Sequence, residues 1–180
     1  EQLDAAVGTD GTVYVSDQTN HRVQVFDADG HYVDTLGTTR VPYLSTDTYF
    51  NQPEGAAVDA YGSTYVLENN GRRLLQVDAG GAITWQFGTA GTFGADPQLL
   101  GNADGGPQGK PAVRADGGVY FADSPRHRVL LVKPGTDEFF QAGVTDEAGT
   151  DEAHFNNPAG VALSPLNGDV FVLDRGNRRI

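Results

Sequence analysis

The chain has 180 residues, 38% of them hydrophobic and 20% charged, enough for one domain with a sizeable core and ordinary for a folded soluble protein rather than a disordered one. No apolar run approaches the ~20 residues of a membrane span, Glu1 to Asp4 lack the basic and apolar parts of a signal peptide, and the absence of cysteine excludes disulfide frameworks, thiolate metal sites and cysteine nucleophiles. The net charge is −12, with lysine only at 110 and 133; such a surface repels phosphate backbones, so no nucleic-acid partner is expected, and it fits an extracellular or secreted setting.

In chain order, the first predicted unit runs from Val7 to Gly37, with short β-branched and aromatic runs at Thr12 to Val15, Val23 to Phe26 and Tyr32 to Leu36. Asp10-Gly11 and Asp29-Gly30 separate these runs and predict two-residue hairpins. The same pattern returns without a gap from Val58 to Gly88 and from Val113 to Gly143, with turns at Tyr61-Gly62, Gly80-Gly81 and Asp116-Gly117. A fourth copy starts at Leu163, carries one extra residue in its Asn167-Gly168 turn, and runs to Ile180. Four short antiparallel strands recurring at about 50 residues predict one blade per copy, and a lone four-stranded meander cannot bury both of its faces, so the blades must stack radially. The expected fold is an all-β propeller arc of about three and a half blades over 1–180, with repeats at approximately 3–37, 53–88, 107–143 and 158–180. Val7, Val58, Val113 and Leu163 are expected on innermost strands and Trp85 on an outermost one.

The pattern resembles the NHL repeat, carried here by Asp17, Asn20, His21, Arg22 and Val23 in the first copy. Pro53, Gly55 and Val58 follow in the second, and Pro158, Gly160, Val161, Ala162, Asp174, Arg179 and Ile180 in the fourth. Glu68 replaces the Asp of the pattern, Arg126 stands where Asn20 does, and Pro107 and Gly109 come one residue early. The resemblance implies a ring that commonly closes with six blades. Together with the missing methionine, this reads as a window on a longer propeller.

An acid stands five residues before an arginine in every copy: Asp17 with Arg22, Glu68 with Arg73, Asp123 with Arg128, and Asp174 with Arg179. Presence in all four copies predicts an architectural ion pair at the turn from second to third strand. From each acid to the Gly closing the fourth strand the spacing is constant in three copies, whereas the stretches Thr38 to Gly55, Thr89 to Ala112 and Val144 to Gly160 vary in length. Successive strands alternate direction, so these long loops share one face with the acid–arginine turns, and variable loops on a rigid scaffold are where binding usually resides.

Just before the arginines sit His21, Arg72, His127 and Arg178, a candidate ring of positive potential for an anionic ligand or acidic segment. Glu54, at the start of an inner strand, is a candidate ligand for a metal-dependent enzyme. The alternative to an interaction module is such an enzyme, resembling the propeller amidating lyases or lactonases, in which histidines or carboxylates hold an axial ion. Histidines 21, 31, 127 and 154 include no His-x-His pair, and Asp27-Ala28-Asp29-Gly30 lacks the twelfth-position ligand of a calcium loop, so neither a zinc nor a calcium cofactor is expected. No nucleophile-elbow, P-loop or dinucleotide motif occurs. The expected function is therefore a noncatalytic module that binds a protein, peptide or glycan partner, or other subunits of an assembly, through its long-loop face.

Overall fold

The computed structural model describes residues 3–37 and 49–180. Three four-stranded antiparallel meanders follow one another: β1 (Leu3–Val7), β2 (Val13–Asp17), β3 (Arg22–Phe26) and β4 (Tyr32–Leu36); then β5 (Pro53–Val58), β6 (Thr64–Glu68), β7 (Arg73–Val77) and β8 (Ile83–Phe87); then β9 (Gln108–Val113), β10 (Val119–Asp123), β11 (Arg128–Val132) and β12 (Phe139–Ala142). A two-stranded sheet of β13 (Pro158–Leu163) and β14 (Val170–Asp174) begins the fourth blade. The first strands pack in series, β1 on β5, β5 on β9 and β9 on β13, so they are the innermost. Val7, Val58, Val113 and Leu163 each end one of them, and Trp85 lies on the outermost strand β8.

Sheets this small are stable only by face-to-face burial, and period-two alternation sends one set of side chains to each neighbouring blade. Between blades 1 and 2, Val23, Val25, Leu36 and Phe50 meet Val66, Leu75 and Val77. Between blades 2 and 3, Tyr65, Leu67, Leu74 and Phe87 meet Val119, Phe121, Leu130 and Val132, with Leu100 sealing the end. Side chains that the neighbouring strands do not cover, such as Val7 and Phe140, stay exposed.

The hairpins differ from the expected two-residue turns. Asp27 N–H donates to His31 O and Gly30 N–H to Asp27 O, closing a three-residue loop in which Gly30 alone has positive φ, at 83°. The loops 59–63, 78–82 and 114–118 repeat this with Gly62, Gly81 and Gly117. A type I turn ending in a left-handed Gly adds a bulge, and the leading Asp fastens it: Asp27 Oδ1 accepts from the N–H groups of both Asp29 and His31. Side-chain fastening of this kind favours the longer loop over a bare two-residue turn.

Candidate functional site

Each blade turns from second to third strand through one tight turn, a 3-10 turn at Gln18–Asn20, Ser124–Arg126 and Arg175–Asn177. The residue that ends it is left-handed in all four blades: His21, Arg72, His127 and Arg178 have φ of 58°, 53°, 56° and 56°. Non-glycine residues adopt this region rarely, so the surrounding contacts must hold it.

The acid before the turn and the arginine after it supply those contacts. Arg22, Arg128 and Arg179 Nε donate to Asp17, Asp123 and Asp174 Oδ2 at 2.9, 2.9 and 2.8 Å, and Arg73 Nε to Glu68 Oε2 at 2.7 Å. In blades 2 to 4 the second carboxylate oxygen accepts a backbone N–H from the long loop that enters the same blade: Asn51 to Glu68 at 2.7 Å, Gly101 to Asp123 at 2.8 Å, and Asn156 to Asp174 at 2.8 Å. The guanidinium grips the loop's carbonyls as well, Arg128 holding Leu99 O and Arg179 holding Thr150, Asp151 and His154 O. Every such node therefore pins the stem of a long loop to the rigid blade. Burial pushes the Glu68 and Asp123 carboxyls up, while their arginines and the loop N–H groups pull them back.

Blade 2 builds the node from different parts. Asn20 and Asn177 donate Nδ2 to their acids, but the equivalent residue in blade 2 is Gly71, where a Cβ would collide with Glu68 Oε2. The extra methylene of Glu68 takes the space that asparagine fills elsewhere. Arg126 at this position of blade 3 is buried and bonds instead to Asp146 and to the carbonyls of Asp96 and Leu99.

In blades 1 to 3, two positions of the turn reach into the following blade. The residue after the acid contacts the entry to the next inner strand: Gln18 Nε2 donates to Glu54 Oε2 at 2.5 Å, Asn69 Nδ2 to Pro107 O at 3.1 Å, and Ser124 Oγ to Pro158 O. The left-handed residue does likewise. His21 Nδ1 accepts from Gln52 N–H at 3.2 Å, His127 Nδ1 from Asn157 N–H at 3.1 Å, and Arg72 Nη2 donates to Asn102 O at 2.8 Å. The four basic positions do not gather into one solvent-facing ring. His21 is buried, Arg72 and His127 are half-buried, and Arg178 is exposed. Glu54 is buried too, lifted out of the β5–β6 ladder by a bulge between Pro53 and Gly55 and used at the junction of blades 1 and 2.

The expected long-loop face is present, although 38–48 lie outside the described residues. Loop 89–107 packs on the blade 2 turn through Gly91 N–H to Gly71 O, and loop 144–157 on the blade 3 turn through Asp146 N–H to Arg126 O. Between the two opens a cleft of ≈ 390 Å³ lined by Phe93, Gly94, Ala95, Gly101, Asn102, Arg126 and Asp146 among others. Phe93 is 47% exposed, and the Arg72 guanidinium lies 4.8 Å from its ring centroid, so the aromatic is positioned rather than loose. Asp146 and its loop neighbours Glu147, Asp151 and Glu152 are exposed. Sequence reasoning missed the pinned amides, although Asn51 and Asn156 both stand two residues before a strand-opening proline.

Among the described residues, no three His, Asp or Glu side chains gather on the inner strands. Lys110 Nζ, on the third inner strand, reaches past Gly55 of the second to donate to Ala5 O on the first at 2.6 Å. The one group of three candidate ligands among the described residues, Asp27, Asp29 and His31, sits in the surface hairpin whose turn Asp27 fastens.

Residues 3–26 match the NHL repeat. No curated protein matches the chain. Among solved structures, a streptogramin B lyase is similar over 94% of this chain and 47% of its own, at 13% identity and a TM-score of 0.65. A gluconolactonase from Xanthomonas campestris covers 94% and 52%, at 21% identity and 0.64, and a structure of a nidogen/laminin complex covers 94% and 54%, at 18% identity and 0.64. The chain thus spans about half the length of these structures. At such identities the likeness is one of fold, the β-propeller, and the NHL match lies within its first blade.

Proposed function

We propose that this NHL-repeat β-propeller chain is a noncatalytic interaction module that binds a protein, peptide or glycan through its long-loop face, in an extracellular setting. The observation that carries this reading is the division of labour in the long loops. Their stems are pinned to the blades by buried acid–arginine nodes, while Phe93 and Asp146 are held open around a cleft. A preorganised surface loses little freedom on binding, which is what a recognition face requires. The nidogen/laminin complex among the similar structures supports a protein partner for such a fold.

The proposed partner chemistry differs from the anionic ligand suggested by the basic turn residues. His21, Arg72 and His127 are engaged at blade junctions, and the cleft exposes the Phe93 ring and the Asp146 carboxylate, which is paired with Arg126. That combination favours a partner offering hydrogen-bond donors, cations or a flat apolar face, as a basic peptide or a sugar ring does.

The test immobilises the protein and screens it against a glycan array and extracellular-matrix proteins, alongside Phe93→Ala and Asp146→Ala on the cleft and Phe140→Ala away from it. Binding lost in the first two and kept in the third supports the module. Stoichiometric metal that survives dialysis, with turnover of a lactone or a streptogramin, would replace the module by the enzyme reading.

A further inference from the structure

The left-handed position of the turn performs the same task in three blades with two different chemistries. At the junctions of blades 1 and 2 and of blades 3 and 4 it is a histidine whose Nδ1 accepts a backbone N–H, from Gln52 at 3.2 Å and from Asn157 at 3.1 Å. At the junction of blades 2 and 3 it is Arg72, which donates to a backbone carbonyl. A ring nitrogen accepts only while unprotonated; once the imidazole is charged, both nitrogens are donors. An N–H of the next blade would then face another N–H. Arginine keeps one role at every accessible pH.

The residues held by the histidines are themselves unusual. Gln52 and Asn157 each precede the proline that opens an inner strand, and both are left-handed, at φ 55° and 50°. Each junction therefore joins two non-glycine residues in a sparsely populated conformation, an arrangement that stores strain and relaxes when its fastening is lost.

We propose that His21 and His127 are pH-dependent clasps that close the first and third blade junctions at neutral pH and release them in mild acid, while the Arg72 junction stays shut. Other groups at these junctions are already compensated. Around His21 they are Asp17 with Arg22 on its own blade, and Glu54 with Gln18 and Glu68 with Arg73 across the junction. Around His127 they are Asp123 with Arg128 and Arg126 with Asp146 on its side, and Asp174 with Arg179 and His154 with Asp151 on the other.

Burial lowers the affinity of His21 for a proton below the ordinary value of about 6.5. The sign follows. A histidine that prefers to be neutral when folded contributes its stability fully above about pH 6.5, and loses it as pH falls from there through its lowered folded value. Release frees the loop stems at 49–52 and 144–157, so it acts on the face proposed to bind, and it holds whether or not that proposal does.

The experiment is hydrogen exchange by NMR on the full chain at pH 7.5 and 5.5, corrected for intrinsic rates and kept above the sequence pI of about 4.5. The amides of Gln52 and Asn157 are expected to lose at least fivefold in protection, while the Gly91 amide, bonded to Gly71 O, keeps its own. In His21→Asn and His127→Asn, whose side-chain carbonyl accepts at either pH and whose backbone tolerates the left-handed region, the pH dependence of the matching amide disappears. Imidazole nitrogen shifts of the unaltered protein give a second readout, since each clasp requires a proton on Nε2 and none on Nδ1 at pH 7.5. An Nδ1–H tautomer, equal losses at Gly91, or asparagine variants that retain the pH dependence would overturn the proposal.

Discussion

Blades 2 and 3 rest on the same acid–arginine node as blades 1 and 4, yet the nodes differ in surroundings. Side-chain exposure is 1% and 0% for Arg73 and Glu68 and 0% for both Arg128 and Asp123, against 24% and 8% for Arg22 and Asp17 and 37% and 2% for Arg179 and Asp174. Donor, acceptor and spacing are alike, so the sequence motif does not set the energetic weight. Neighbours do: a node covered by blades on both sides has lost its water, and the pair must compensate two desolvated charges. Where the cover is complete the pair is a dry rivet, and where it is not the same pair keeps part of its hydration.

The largest expected effect separates the two classes. Arg73→Ala and Arg128→Ala each strand a buried carboxylate and are expected to cost about 3–5 kcal/mol in urea unfolding. Arg22→Ala, in the more solvated setting, is expected to cost about 1 kcal/mol. Equal losses in the two classes would remove burial as the deciding variable.

A second variant pair sharpens the point within blade 2. Gly71→Asn places a side chain against Glu68 and should cost about 1–3 kcal/mol by overpacking. Adding Glu68→Asp shortens the acid, rebuilds the arrangement of Asp17 with Asn20, and should recover most of the loss. A double-mutant cycle with no coupling would show that Gly71 is not a steric partner of Glu68.

Smaller effects belong to the junctions and the cleft. Arg72→Ala removes the bond to Asn102 O and the stacking on Phe93, for a loss of about 1–2 kcal/mol, so it is not neutral to folding as a purely binding residue would be. Phe93→Ala should shift stability by under about 1 kcal/mol while abolishing partner binding, because much of its ring faces solvent. Thermal unfolding of both variants, read beside the array, distinguishes junction from cleft.

The blades and their register were legible because hairpin glycines and alternating apolar runs are local signals repeated four times. The acid–arginine motif was legible as a pattern through the same repetition. What it does was not, because the second partner of Glu68, Asp123 and Asp174 is a backbone amide 17, 22 or 18 residues away, and a backbone amide has no sequence signature. The basic positions misled for a related reason. A histidine or arginine at a turn reads as surface charge, but left-handed φ aims it at the next blade, and φ is not written in the residue type. Glu54 reads as an inner-strand ligand until the bulge that re-aims it and its contact with Gln18 are seen. Phe93 and Asp146 lie 53 residues apart in loops of unequal length, and only packing brings them to one cleft.

The central claim is that the nodes pin the long-loop stems, with strength set by burial. Hydrogen exchange of the Gly101 and Asn156 amides, one held by the buried Asp123 and the other by the more solvated Asp174 node, tests it most directly. The account predicts that Gly101 is the better protected, and that in Arg179→Ala the protection of Asn156 collapses while that of Gly101 is unchanged. Equal protection of the two amides in the unaltered protein, or an Asn156 amide indifferent to the loss of Arg179, would contradict it.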